Sequence, residues 1–113
     1  MRVGVARVSC WTMLLSYLAT IFSAFFLCNC IPHLCAGLRG EPFPTPFAKP
    51  PGVGKSSART NFLWGTANLV VGCLLFARSD VTFGLDLPTL VFFVAFVAIG
   101  VPSSSHFEKV RGK

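Results

Sequence analysis

Four residues near the end of the first apolar stretch have side chains that can do chemistry together: Cys28, Cys30, His33 and Cys35, spaced C-x-C-x-x-H-x-C. Thiolate and imidazole are the ligands that zinc and copper(I) prefer. The spacing matches no standard finger and Pro32 interrupts it. The sequence therefore expects no metal and no cofactor, with these four residues as the metal candidates to watch. Haem is disfavoured because no second histidine lies in an apolar stretch; His106 falls near the C-terminal end. A cytoplasmic position would keep the thiols reduced, and a cysteine beside the membrane is also a palmitoylation candidate.

A second segment invites a chemical reading. PPGVGKSS, Pro50 to Ser57, resembles the later part of a Walker A phosphate loop, in which glycine amides cradle phosphates, a lysine reaches the terminal ones and a hydroxyl binds magnesium. The first glycine of that pattern would stand at position 49, which is Lys49. A phosphate loop also needs a parallel sheet behind it, and EPFPTPF precedes this one. The expectation is instead a glycine-rich turn whose Lys49, Lys55 and Arg59 rest on anionic headgroups at the membrane surface. Catalysis needs a nucleophile with its base, paired acids or an open metal site. Glu41, Asp80, Asp86 and Glu108 all fall outside the apolar stretches, so the sequence reads as non-enzymatic.

The elements that carry these residues follow from composition. The chain has 113 residues, 53% hydrophobic and 12% charged, about half the usual charged share. Such a chain is not disordered, and a soluble domain of this size needs more charge to cover its surface. Charges are confined to short blocks that leave three uncharged stretches. The sequence predicts an all-α integral membrane fold: a single domain, residues 1–113, with three transmembrane helices at about 8–31, 60–77 and 87–105. Pro32 is expected to close the first. The third begins behind an Asp86 cap with Pro88 in its first turn and frays into Ser103 to Ser105, or else lies in the interface. The first stretch is much longer than the apolar part of a signal peptide and no small-x-small site follows it, so it is expected to be retained.

A Pro/Gly-rich loop, 39–59, joins the first two helices, and a basic tail, 106–113, ends the chain. Its five prolines predict a stiff strap. Phe43 and Phe47 either anchor that strap at the interface or pack on the helix ends, and Gly52 and Gly54 reset the chain direction. With three spans, Arg2, Arg7 and Arg78 share one side, while Arg39, Lys49, Lys55, Arg59, Lys109, Arg111 and Lys113 share the other. The positive-inside rule then predicts a multi-pass protein with its N-terminus outside and its C-terminus cytoplasmic. The net charge of +6 is explained by topology and lipid headgroups, with no nucleic acid partner.

Polar residues inside the stretches mark the helix contacts. Ser9, Thr12, Ser16, Thr20 and Ser23 recur at spacings of three and four, as do Asn61, Gly65, Asn68 and Gly72. These stripes are expected to meet each other or their copies, whereas the third stretch has no such face and should look at lipid. The function read from this pattern is an accessory or interaction subunit whose partners are membrane lipid and another membrane protein or a homo-oligomer. The alternative is an oligomeric pore or small-solute carrier. In span number, N-out and C-in layout and basic tail the chain is similar to class I phage holins, by topology and no motif. Half-transporters are similar in size, but their proline-centred binding motif is not found.

Overall fold

The computed structural model describes residues 9–111. Arg2, Arg7 and Lys113, which entered the charge count, lie outside the described residues. The described residues fold into three helices and one short hairpin: α1 (Cys10–Leu38), β1 (Phe43–Pro44), β2 (Lys55–Ser56), α2 (Ala58–Phe76) and α3 (Leu87–Arg111).

Helix α1 starts at Ser9, whose hydroxyl accepts the Thr12 N–H at 3.1 Å. Ser9 and Thr12, assigned by spacing to the polar stripe, thus form the helix cap. Pro32 does not close α1, as the sequence led us to expect; the helix runs through it to Leu38. A proline removes one i to i−4 bond, here the one to the Cys28 carbonyl. The residues beyond it are held from outside the helix, His33 by Asn61 and Gly37 by the backbone of Phe62. Termination comes at Gly40, in the left-handed region at φ 73°. The Gly40 N–H donates to the Gly37 carbonyl and the Glu41 N–H to the Ala36 carbonyl, which satisfies the last orphan acceptors of the helix.

The strap that follows is a hairpin. β1 and β2 pair antiparallel, Phe43 opposite Ser56 and Pro44 opposite Lys55. The buried Thr45 hydroxyl meets that of Ser56 and accepts the Phe47 N–H at 3.2 Å. Gly52, at φ 73°, donates its N–H to the Thr45 carbonyl at 2.9 Å and makes the turn. Ser57 then caps α2 by accepting the Thr60 N–H at 3.2 Å.

Helix α3 corrects a second expectation. It does not fray at Ser103 to Ser105 to leave a tail from 106, but continues through Pro102 to Arg111. Its last turns are held by the strap: Phe107 packs on Phe43 at 4.7 Å, Val110 is buried, and His106 Nε2 donates to the Gly52 carbonyl at 2.8 Å. Lys109 and Arg111 sit in the final turn, where cations favour the helix dipole. The third stretch also does more than look outward, because Thr89 and Phe92 are buried and Gly100 lies against Cys28 of α1.

Helix α1 is the centre of the bundle, with α2 antiparallel on it and α3 parallel to it. At 1.5 Å per residue the helices are about 43, 28 and 37 Å long. Two of them, α1 and α3, are long and apolar enough to cross a membrane. The packing is inverted relative to a water-soluble domain. The largest fully buried side chains are Asn61, Asn68, Thr20, Thr45 and Ser23, while Trp11 and Leu74 are each 65% exposed. Apolar surface on this scale needs a covering medium.

The Asp86 carboxylate accepts from the Thr82 hydroxyl and from the Thr89 N–H at 3.0 Å. These bonds, Thr82 first and Thr89 second, hold its carboxyl below the ordinary aspartate value of 3.8. A depressed folded-state value means that the cap is complete above 3.8 and is lost as pH falls through the lower folded value. Hydrogen exchange should therefore show Thr89 losing protection in strong acid, and in Asp86→Ala at neutral pH as well. Unchanged Thr89 protection in that variant would contradict the assignment.

Candidate functional site

The α1–α2 seam gathers the polar side chains, and at its strap end they converge on Asn61. The Asn61 Nδ2 group donates to the carbonyls of Phe43 at 3.0 Å, Ser56 at 3.1 Å and Ser57 at 3.0 Å. With its amide nitrogen so engaged, Oδ1 must accept. His33 Nδ1, 2.7 Å away, therefore carries the proton and donates. Both side chains are buried, and Phe43 and Trp64 stand edge-on to the imidazole at 5.4 and 6.5 Å. One amide thus ties α1, both strands of the strap and the start of α2.

Below this knot the seam alternates polar pairs with glycines. Half-buried Asn29 donates to Asn68 Oδ1 at 3.0 Å, and Asn68 Nδ2 donates to the Trp64 carbonyl at 2.8 Å. Ser23 Oγ donates to the Gly72 carbonyl at 3.0 Å. Thr20 donates to the Ser16 carbonyl within α1, and Ser16 reaches Asp80 beyond α2 at 2.8 Å. Gly65 and Gly72 bring α2 close to Leu34 and Leu27: a Cβ on either would lie 2.8 Å from Leu34 Cγ and 2.6 Å from Leu27 Cδ2 respectively. Ser16, Thr20, Ser23, Asn61, Gly65, Asn68 and Gly72 accordingly all lie along the contact of α1 with α2 and the chain leaving it.

Three members of the seam were not named from the sequence. Asn29 and His33 are the α1 partners of Asn68 and Asn61, and a Cβ on Gly37 would sit 2.8 Å from the Phe62 backbone nitrogen. The signal was present, since 29, 33 and 37 step by four along one helix face.

The helix sends the proposed ligand cluster apart. Cys28 turns toward Gly100 of α3, Cys30 donates to the Leu27 carbonyl at 3.1 Å, His33 faces Asn61, and Cys35 is exposed. All five thiols are free, and among the described residues no three His, Cys, Asp or Glu side chains gather where a metal ion could be held. In the Pro50 to Ser57 segment, Lys55 belongs to an antiparallel hairpin instead of a strand-to-helix loop on a parallel sheet. Lys49, Lys55 and Arg59 are exposed around the strap. Phe43 packs on the helix ends, between His33 and Phe107, while Phe47 is exposed and leans on Trp64 at 4.9 Å.

At the strap end Arg39 and Glu41 pair at 2.7 Å, and Arg39 holds the Glu41 carboxyl below the usual carboxylate range, first by hydrogen bonding and then by its charge. The arrangement as a whole can lock helices and position the strap. Compared with known proteins, the chain matches no family model, no curated protein and no solved structure.

The seam makes a graded prediction. Asn61→Ala strips the buried His33 N–H of its acceptor and the Phe43 and Ser56 carbonyls of a donor, while the Ser57 carbonyl keeps the main-chain N–H of residue 61, and should lower stability by about 2 to 3 kcal/mol. Gly65→Leu and Gly72→Leu should each cost about 1 to 3 kcal/mol by overpacking. Gly100→Leu should cost less, because a Cβ there meets only Cys28 Sγ at 3.5 Å. Reversible unfolding in mild detergent measures all four; equal effects of the three leucine substitutions would refute the seam as the tightest contact.

Proposed function

We propose that this protein is a small, non-enzymatic, three-span membrane protein that acts as an accessory or interaction subunit of a larger membrane assembly or of its own homo-oligomer. One observation favours this over a pore or carrier. The polar stripes are spent inside the chain, where Ser23, Asn29 and His33 each bond to α2. A pore built from several copies needs a polar face left over to line its path, and here the outward faces of α2 and α3 carry Leu63, Val70, Leu74, Leu90, Val94 and Val97. Such faces suit lipid and the apolar flank of another membrane protein. At about 28 Å, α2 matches a hydrocarbon core of about 30 Å, which supports its being the third span.

The orientation we infer is N-out and C-in. Arg39, Lys49, Lys55, Arg59, Lys109 and Arg111 lie at the strap end and Arg78 at the other, and basic segments stay cytoplasmic. In a cysteine-free background, an impermeant thiol reagent added outside intact cells should label Leu85→Cys and spare Val53→Cys. The opposite labelling would invert the topology.

Purification from native membranes in mild detergent tests the function. A stoichiometric larger membrane partner, or a defined homo-oligomer that conducts nothing in liposomes, is the expected result. Solute flux through the purified protein in liposomes, or lysis on overexpression, would replace this reading with the pore.

A further inference from the structure

Two cavities meet on the strap-end half of α3. The first is an apolar groove of about 220 Å³ between α1 and α3, walled by Cys28, Pro32, Phe96 and Gly100. Gly100 keeps it open, since nothing but Cys28 Sγ stands within 4 Å of where its Cβ would be. The second is a cleft of about 640 Å³ between the strap and the last turns of α3, with Arg39, Lys55 and Arg111 among its walls. Ser104 and Phe107 line both. The groove and the cleft thus adjoin at these two residues, with apolar walls on the Gly100 side and charged residues among the walls on the Arg111 side.

That order of polarity is the order of a phospholipid. Gly100 and Arg111 are eleven residues apart on one helix, about 16 Å of rise, which is close to one leaflet of a hydrocarbon core of about 30 Å. In the cleft three cations, Arg39, Lys55 and Arg111, face two carboxylates, Glu41 and Glu108. Arg39 already engages Glu41 at 2.7 Å. The wall is left with one excess positive charge, the complement of a single phosphodiester. A headgroup that adds an ammonium would set a further cation beside Lys55 and Arg111.

We propose that this slot binds one anionic glycerophospholipid, an acyl chain lying in the α1–α3 groove and the phosphodiester held in the cleft by Lys55 and Arg111 with Arg39 beside them. The proposal rests on the membrane reading above and goes beyond it, because it assigns a specific lipid site on the chain itself. It also gives the strap a role: β2 carries Lys55 to the cleft, and Phe43 on Phe107 closes its floor.

The test uses the full chain in mild detergent, equilibrated with phosphatidylglycerol or phosphatidylcholine and read by native mass spectrometry. The expected result is one retained phosphatidylglycerol per chain, with a preference of about tenfold over phosphatidylcholine, set by the cations at the mouth of the slot. Lys55→Gln with Arg111→Gln should bring the two lipids near parity. Gly100→Leu should release both lipids while leaving the unfolding midpoint close to that of the parent. Equal retention of both lipids by the parent, retention unaltered in the variants, or displacement of the lipid by millimolar inorganic phosphate would each overturn the proposal. Resistance of the membrane-bound protein to carbonate extraction tests the membrane reading separately, so failure of one is distinguishable from failure of the other.

Discussion

The Asn61 side chain is the constraint on which the rest of the structure depends. It accepts from His33 on α1 and donates to carbonyls on both strands of the strap and at the start of α2. In an apolar surrounding no water is at hand to replace any of these bonds, and an unpaired amide or imidazole there is costly. The side chain therefore sets the rotation of α1 against α2, and with it the register of every pair further down the seam. It also sets where the strap lies, because two of its three carbonyl acceptors belong to the strap.

The seam reverses the usual distribution of side chains. Where the surroundings are themselves apolar, burying leucine against leucine gives no advantage over leaving it in lipid, and association must come from close backbone approach and hydrogen bonds. Gly37, Gly65 and Gly72 supply the approach, and Ser23, Asn29 and His33 supply the bonds. The same logic explains why two prolines sit inside long helices. Each removes one backbone bond, but the turns beyond Pro32 are tied to α2 and those beyond Pro102 to the strap, so neither helix has a better place to end. Helix α3, which has no comparable polar row, packs more loosely on α1 and leaves the groove beside Gly100.

These features join function to fold in one direction. A seam that consumes its polar groups internally leaves apolar outer faces, and this is the feature on which the proposed accessory role rests. The strap gathers basic side chains at one end and, by closing against α3, brings Arg39 and Lys55 to face Arg111. Charge that would otherwise act as a diffuse attraction to anionic headgroups is thereby concentrated at the mouth of an apolar slot.

What the sequence determined by itself was the class: a helical chain whose apolar stretches and segregated charges are legible because hydropathy and charge are properties of single residues. It also marked the small and polar positions of α2, whose period of three to four is local. Only the tertiary structure decided which polar residues pair, that His33 bonds to Asn61, and that Cys28 and Cys35 turn away from Cys30. It alone carried α1 past Pro32 and α3 past Pro102, because a proline is a local signal and the contacts that override it come from residues far along the chain. The slot between α1, α3 and the strap was equally hidden, since its walls are drawn from three separate segments and only folding makes them neighbours.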